Sequence, residues 1–433
     1  MASWDWALDF QPTSTDGGSD PAPVPVTDIL GASVNYGKTG EALQYSGGTM
    51  TLAIDNASSA YTPGGGGTYT TARFLGVPVK LYANVTGAGA PAWTHGPPAV
   101  FTGVVTDVSW SFDSAFQSTM TVQVSDMLTM LGTLSFVDVD SGNGLDITAG
   151  TAAAALTATL VAANAVTSQV TQTTILNPSG DAGQDLLAVT DYTGSAGALA
   201  QRVERSDGGD VYVRHGLPID ATNAYNVLTF RTHGQQPVPG PITGIVGLYP
   251  LNLWDTSLTP AGDEPHNFAR IDFASGAALA YSQATYTSAG GTAQTAQVPN
   301  VNLNEFGARS IARTDLLALD DAATLVLATH FLQQYGVETV APLATRGVEL
   351  PPIVTGDNDG YELVKYTVGD TCTIHFRPAN ASATVTIAGV VAGISWSITP
   401  AAASLVVRLE DGDQTVGFIL DSDAFGRLDI NRL

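Results

Sequence analysis

The residues best suited to chemistry in this sequence are aspartates gathered in three turns, at 138–140, 357–359 and 421–423. Closely spaced carboxylates are ligands that Ca²⁺ prefers. The turns depart from the EF-hand pattern, because Asn143 replaces the glycine expected at the sixth position of the first turn and Arg432 replaces the glutamate expected at the twelfth position of the third. The sequence therefore predicts no metal site. A calcium ion in an irregular acidic loop is the alternative.

Few residues in the sequence have the types and spacing of a catalytic or cofactor site. The six histidines are scattered without a pair at metal-ligand spacing, and no Gly-x-Ser-x-Gly turn presents a nucleophilic serine. The single cysteine, Cys372, lies in an alternating stretch, which is typical of a packed strand side chain rather than a nucleophile. We therefore predict no catalytic residues, no cofactor and no enzymatic activity.

The composition indicates a β-rich chain with an acidic surface. The 433 residues carry 40 acidic and 16 basic side chains, for a net charge of −24, and 32 of the acids are aspartate. Aspartate, together with 46 glycines and 23 prolines, favours turns over helices. Such a chain lacks the basic patches needed to grip nucleic acid, although DNA could slide past it. No secretion signal is visible at residues 1–6, so we expect synthesis in the cytoplasm without an export signal.

One stretch of the sequence occurs twice. Residues 103–112 read Gly-Val-Val-Thr-Asp-Val-Ser-Trp-Ser-Phe, and residues 389–398 read Gly-Val-Val-Ala-Gly-Ile-Ser-Trp-Ser-Ile, which gives six identities in ten positions at a constant offset of 286. The match includes Trp110 and Trp396, two of only 6 tryptophans. Two unrelated antiparallel hairpins would share alternating valines but not the common Ser-Trp-Ser. The sequence therefore predicts a duplicated β-domain.

The repeat divides the chain into regions of different character. Trp4 and Trp6 precede a segment rich in proline and glycine, which predicts an arm that docks on a neighbouring subunit, with a disordered tail as the alternative. The predicted fold is mainly β with some α (α+β), in which two similar β-barrel domains flank a mixed α/β middle region. The boundaries are 1–26 for the arm, 27–135 for the first barrel, 136–340 for the middle region and 341–433 for the second barrel with its C-terminal tail.

The middle region is predicted to end in a helix over residues 321–335. Asp320 is placed to cap it, and Gly336 to stop it. The apolar residues recur at the spacing of one helix face. This spacing predicts a buried stripe formed by Ala323, Val326, Leu327, His330 and Phe331.

Several stretches are similar to the minor tail, or tail-hub, proteins of long-tailed phages, especially those that infect actinobacteria. The most specific lies near the C-terminus, where Ile-Thr-Pro at 398–400 is followed by Phe418-Ile-Leu-Asp and Phe425-Gly-Arg-Leu. Further similarity lies in the opening strand at 26–37, in 48–63 and in the strands that begin at Phe101. The opening strand departs from the family, because Tyr-Gly-Lys at 36–38 stands where the family has an arginine-rich turn.

This resemblance implies a structural role in a virion. Members of the family are described as trimeric hubs that close the tail tube and carry the tip proteins. A homotrimer would form a pseudo-sixfold ring at the tail tip, in contact with the distal tail protein, the end of the tail tube, the tape-measure protein and other tip or fibre proteins. DNA would pass through its lumen without specific binding, and contact with the host envelope would be indirect. The structural and interface candidates are Trp4, Trp6, Trp110, Trp396, Phe418 and Phe425.

Two other functions are open at the level of sequence. The first is a tail-tip protein that hydrolyses cell wall or glycan, although no region is left over for a hydrolase domain unless 136–300 contains one. The second is a carbohydrate-binding adhesion protein, since 6 tryptophans and 14 tyrosines could stack on sugars.

Overall fold

Alternating apolar residues and frequent turn residues give this chain many strands and few helices. A computed structural model describes residues 3–14, 19–38, 44–64, 67–69, 71–86, 97–113, 118–136, 144–167, 175, 181–216, 227–232, 251–258, 260, 265–275, 281–298, 309–335, 343–354, 360–377 and 384–411.

The strands in the first half of the chain are β1 (Ser3–Phe10), β2 (Thr13–Ser14), β3 (Ile29–Gly37), β4 (Ser46–Asp55), β5 (Ala72–Arg73), β6 (Pro78–Thr86), β7 (Ala99–Phe112), β8 (Ser118–Ser125), β9 (Leu145–Ile147), β10 (Gly150–Thr151), β11 (Asp185–Leu186), β12 (Val189–Tyr192) and β13 (Asp210–Arg214). Those in the second half are β14 (Val227–Arg231), β15 (Leu251–Asp255), β16 (Pro265–Phe268), β17 (Arg270–Ser275), β18 (Gln283–Ser288), β19 (Gln294–Gln297), β20 (Ser310–Leu316), β21 (Leu343–Glu349), β22 (Ile353–Val354), β23 (Thr371–Phe376), β24 (Val385–Ile398) and β25 (Ala402–Asp411).

The helices of the described residues are α1 (Met127–Thr133), α2 (Ala152–Val166), α3 (Ala196–Asp207) and α4 (Asp321–Tyr335), with short 3₁₀ turns at Val26–Asp28 and Gly360–Lys365. The α-helices begin at the capping side chains that their sequences provide. In α4, for example, the Ala323 amide donates to Asp320 Oδ1 at 2.8 Å, as predicted. Over the described part of the chain, no helix is long and apolar enough to cross a bilayer.

The largest sheet has 14 strands and unites the two ends of the chain. Its main path runs β1-β6-β7-β8-β4-β3-β24-β23-β15-β16, while β25, β21, β17 and β22 branch from β24. Strands β3 and β24 are antiparallel, and Val34 lies opposite Trp396. We call the pairing of residues 32–37 with residues 393–398 the β3–β24 joint.

The large sheet differs from the two separate barrels predicted from the sequence. The described strands form open sheets, and none of these sheets closes into a barrel. The physical reason is the β3–β24 joint, because it makes strands of both predicted domains neighbours in one sheet. One continuous hydrophobic core serves both halves, from Trp6 and Phe10 to Leu405 and Leu409.

Two segments join this sheet although the sequence placed them elsewhere. Residues 3–10 were predicted to be part of an arm, but they form β1, which pairs along its whole length with β6. Strands β15 to β17 also come from the predicted middle region: β15 pairs with β23, β16 pairs with β15, and β17 pairs with β21. We therefore define the N-terminal unit as β1, β3, β4 and β6–β8, and the C-terminal unit as β15–β17, β21 and β23–β25.

The rest of the middle region packs around two smaller cores. Helices α1 to α3 and strands β9 to β14 enclose one, which includes Leu156, Leu199 and Phe230. Helix α4 covers the three-stranded sheet β19-β18-β20 and forms the other. The predicted stripe of α4 is only partly correct: Leu327 and Phe331 are buried, whereas Val326 is 52% exposed.

Candidate functional site

The described residues gather no cluster suited to metal binding or nucleophilic catalysis. No group of three or more His, Cys, Asp or Glu that could hold a metal occurs among them. Burial raises the pKa of the Cys372 thiol well above its usual range, so the thiolate is disfavoured. His215 lies against the rings of Tyr36 and Phe101, each at 4.5 Å, and burial lowers its pKa to about 3. The aspartate turns at 138–140, 357–359 and 421–423 lie outside the described residues.

The most distinctive local geometry belongs to the sequence repeat. Strands β6-β7-β8 and β23-β24-β25 are both antiparallel meanders, and each central strand carries a one-residue β-bulge. In β7 the extra residue is Thr106, between Val105 and Asp107, and in β24 it is Ala392. These positions differ by 286, the offset of the repeat. A β-bulge bends a strand at a defined position and is typically kept among related strands, so its presence at equivalent positions supports the duplication.

The turns that enter the two meanders are also equivalent. Gly76 and Gly369 both have positive φ, at 79° and 92°, a conformation that favours glycine. The Gly76 amide donates to the Val105 carbonyl at 2.9 Å, and the Gly369 amide donates to the Val391 carbonyl at 2.8 Å. The two units therefore share a backbone hydrogen-bond pattern as well as a sequence.

The equivalent tryptophans lie in different surroundings. Trp396 is 2% exposed and meets Trp6 of β1 edge to face, with ring centroids 6.5 Å apart. Trp110 is only partly buried, and its Nε1 donates to the Tyr61 carbonyl at 2.9 Å. The predicted docking tryptophan Trp6 therefore contacts the repeat of its own chain.

The same contrast holds for the backbone edges of the two strands. One edge of residues 393–398 in β24 pairs with β25, and the other forms the β3–β24 joint. In β7, residues 107–112 pair with β8 on one edge, and no described strand pairs with the other. We call this the outer edge of β7. It ends at Phe112, which is 62% exposed.

Four charged side chains fasten the β3–β24 joint to the middle region. Lys38, directly after β3, contacts Asp210 of β13 at 3.2 Å and Glu410 of β25 at 2.7 Å. Arg231 of β14 bonds to Asp210 and lies 3.6 Å from Glu410. We call Lys38, Asp210, Arg231 and Glu410 the ionic junction. Its charges balance, as a buried group of this kind requires.

Two acids at the ionic junction have pKa values shifted in opposite directions by burial and by neighbouring charges. Burial alone would raise the pKa of Asp210, but the adjacent Lys38 and Arg231 charges outweigh it and lower that pKa to about 2. The neighbouring Glu204 is 3% exposed, and burial followed by the negative charge of Asp210 raises its pKa to about 8. Asp210 is therefore ionised at neutral pH, whereas Glu204 is mostly protonated.

A second buried ion pair fixes the middle region to the C-terminal unit. Arg214, at the end of β13, donates to Asp370 at 2.9 Å, and both side chains are almost fully buried. The next residue, His215, donates its amide to Thr367 Oγ1 at 3.1 Å. Strand β13 is therefore attached at its first residue to Lys38, directly after β3, and at its last residue to Asp370, directly before β23.

The structure brings together some of the residues singled out from sequence. Trp6 and Trp396 are in contact, and Trp110 lies in the strand equivalent to that of Trp396. Trp4, in β1, pairs in register with Val85 of β6. Phe418 and Phe425 lie outside the described residues. Sequence reasoning missed the ionic junction, although the presence of only three lysines in the chain is a signal that marks Lys38.

Comparison with known proteins gives similarity at the level of fold. No protein-family model and no curated protein matches the sequence. A tail protein from Neisseria meningitidis MC58 aligns over 95% of this chain and 97% of its own, with a TM-score of 0.55 and 12% identity. The 43 kDa tail protein of prophage MuSo2 from Shewanella oneidensis aligns over 96% and 99%, with a TM-score of 0.52 and 13% identity. A type VI secretion system component from E. coli reaches a TM-score of 0.43 at 10% identity, over 90% of this chain and 75% of its own. The chain therefore shares its fold with the first two tail proteins.

Proposed function

We propose that this protein is a structural subunit of a phage tail, a hub at the tail tip in which three copies form a ring. The N-terminal and C-terminal units alternate around the ring, so that three chains present six similar surfaces. One face then matches a sixfold tail tube, and the other is free to be threefold. The proposal extends the fold shared with two tail proteins to the function of this chain.

The observation that carries the proposal is the joint between two equivalent units in one chain. The units share sequence, bulge and turn geometry, and the β3–β24 joint sets them side by side. A side-by-side contact between similar units is heterologous, and repetition of such a contact closes into a ring when the rotation fits. The alternative is a monomer whose duplication only enlarges a scaffold. In such a monomer the contact between the two units would not need to recur between chains.

The partners follow from this position. The sixfold face would contact the distal tail protein and the end of the tail tube, and the opposite face would carry tip or fibre proteins. The tape-measure protein and then the DNA would pass through the lumen. Because DNA carries about one negative charge per 1.7 Å of its axis, we expect the acidic residues of this chain, at net charge −24, to line that channel.

A structural role predicts that the chain does not hydrolyse cell wall or glycan. Among the described residues, the buried thiol and the buried histidine near Asp126 serve packing rather than chemistry. Zymography of the purified chain on host cell wall tests this point. We expect no cleared band, and a cleared band would replace the structural role with a tail-tip enzyme.

The copy number in the assembled tail tests the ring. We expect three copies per tail by mass measurement of isolated tips, or by a reconstruction calculated without imposed symmetry. One copy per tail, or six equivalent copies, would contradict the proposal. The same reconstruction shows which side chains face the channel, and a neutral or basic channel wall would contradict the expected acidic lumen.

A further inference from the structure

We propose that the outer edge of β7 binds β17 of a second copy of this chain as an added antiparallel strand. This inference rests on the ring proposed above and specifies its contact between chains. Each chain would then use its β3–β24 joint internally and the β7–β17 contact to reach the next chain. Both edges belong to this chain, and neither has another strand partner among the described residues.

Strand β17 is the C-terminal counterpart of β3. Val122 of β8 and Val407 of β25 are equivalent, because they pair with Val108 and Ile394 of the repeat. Two rows of paired residues start from these valines and run across the sheet. The row through the N-terminal unit is Val122, Leu52 and Ala32, and the row through the C-terminal unit is Val407, Val348 and Ile271. Ile271 therefore takes the place of Ala32.

Strand β17 has no described strand at the edge that, in β3, forms the β3–β24 joint. Strand β3 lies between β4 and β24, whereas β17 has β21 on one edge and no described strand on the other. In the β3–β24 joint, this edge of β3 pairs with β24. Since β7 is the counterpart of β24, β7 is the strand that fits the equivalent edge of β17. An unpaired edge is a template for strand addition.

The β3–β24 joint also gives the register of the contact between chains. In the β3–β24 joint, Ile398 lies opposite Ala32 and Ser397 opposite Ser33. The equivalent contact places Phe112 of one copy opposite Ile271 of the next and Ser111 opposite Asp272. One residue further along, Asp113 would lie opposite Arg270. An apolar pair next to a pair of opposite charge is the pattern that stabilises neighbouring strands.

The backbone hydrogen bonds of the β3–β24 joint identify the amides that face this edge. The Lys38 amide donates to the Ala392 carbonyl at 2.7 Å beside the Gly37–Gly393 pair. Antiparallel alternation then directs the amides of Ile394, Trp396 and Ile398 toward β3. Their equivalents, the amides of Val108, Trp110 and Phe112, face the outer edge of β7. The Val108 amide already donates to Asp107 Oδ1 at 2.9 Å, so the amides of Trp110 and Phe112 are the groups that β17 of the second copy would satisfy.

Disulfide trapping tests the register in the full-length protein. Ser111→Cys and Asp272→Cys place two thiols at facing positions, where paired Cα atoms are about 4.5 Å apart, within reach of a disulfide. Both positions are exposed, and the natural Cys372 is 1% exposed. The matched control is Ser109→Cys with Asp272→Cys, which moves one thiol about 7 Å along the strand. Native mass spectrometry of the same samples gives the number of copies.

Each outcome bears on the proposal. We expect trimers that become covalently linked on oxidation with the first pair, at least about tenfold more than with the control pair. Trimers that do not cross-link through the first pair, or that cross-link equally through both, would overturn the strand addition and leave the ring standing. A chain that stays monomeric at every concentration would overturn both the strand addition and the ring.

Discussion

Strands β7 and β24 are equivalent in the repeat, yet past the bulge β24 is paired on both edges, whereas no described strand pairs with the outer edge of β7. The bulge, the entering turn and the Ser-Trp-Ser segment agree between them. The difference comes from outside the repeat, since β3 and Trp6 of the N-terminal unit cover β24. The comparison shows that a duplicated element keeps its internal geometry while its surroundings decide how far it is paired and buried.

The largest effect should come from removal of the two equivalent tryptophans. We expect Trp396→Ala to lower the free energy of unfolding by about 3–5 kcal/mol, because it leaves a cavity beneath Trp6. Trp110→Ala should cost about 1–2 kcal/mol, because that ring is only partly buried. Chemical denaturation of both variants gives the two values. Equal losses would mean that the two strands are equally covered.

The next effect concerns the ionic junction that holds the β3–β24 joint. Lys38→Met leaves Asp210 and Glu410 with Arg231 as their remaining partner in the junction, and we expect a loss of about 3 kcal/mol. The matched control is Lys80→Met in β6, which lies outside the junction and should change stability by less than about 1 kcal/mol. Similar losses in both variants would show that the junction does not hold the joint.

A smaller effect should appear as a pH dependence next to the same joint. The pKa of Glu204 is raised to about 8 in the folded chain, so the folded chain keeps a proton that the unfolded chain loses near the usual value of 4.5. This contribution to stability is therefore lost as the pH rises from about 5 toward 8. Relative to the natural chain, Glu204→Gln should gain about 1.4 kcal/mol between pH 6 and pH 7. Denaturation at several pH values tests this, and a constant difference would contradict it.

The smallest expected difference concerns the rate of amide hydrogen exchange along β7 and β24, which compares the two strands residue by residue. In dilute protein the amides of Trp110 and Phe112 should exchange roughly tenfold or more faster than those of Trp396 and Ile398, whereas the Val108 amide is bonded to Asp107 Oδ1 at 2.9 Å. The reason is that β3 occupies the equivalent edge of β24. Hydrogen exchange read out by mass spectrometry or NMR gives the ratio. Equal protection would show that another part of the chain covers the outer edge of β7.

The sequence was informative where a pattern is local. The two copies of Ser-Trp-Ser predicted equivalent strands, and Asp320 predicted the start of α4. The alternation in residues 3–10 carried a further signal, since Trp6, Leu8 and Phe10 face the core at a period of two. The prolines that follow led instead to the prediction of an arm.

Long-range pairing could not be predicted from the sequence. Nothing local to β3 indicates that it pairs with a strand about 360 residues later rather than closing a barrel within its own unit. The ionic junction has the same origin, because Lys38, Asp210, Arg231 and Glu410 come from four separate segments. Val326 is exposed because helical spacing predicts which residues share a face of α4, but not the rotation of that face relative to the sheet it packs on.

The burial of Lys38 also decides how this protein can be labelled. Of its three lysines, Lys38 and Lys365 are 6% and 2% exposed, so their amines are poorly accessible to acylating reagents. Lys80 is partly exposed, and burial lowers its pKa to about 8 against the opposing effect of the nearby Asp9 charge, which increases the fraction of free amine at neutral pH. Of the three lysines, an amine-reactive dye should therefore mark mainly Lys80 of β6 in the folded chain. Amine-to-amine cross-linkers would give few neighbours in an assembled tail, whereas carboxyl-directed reagents have 40 acidic side chains to use.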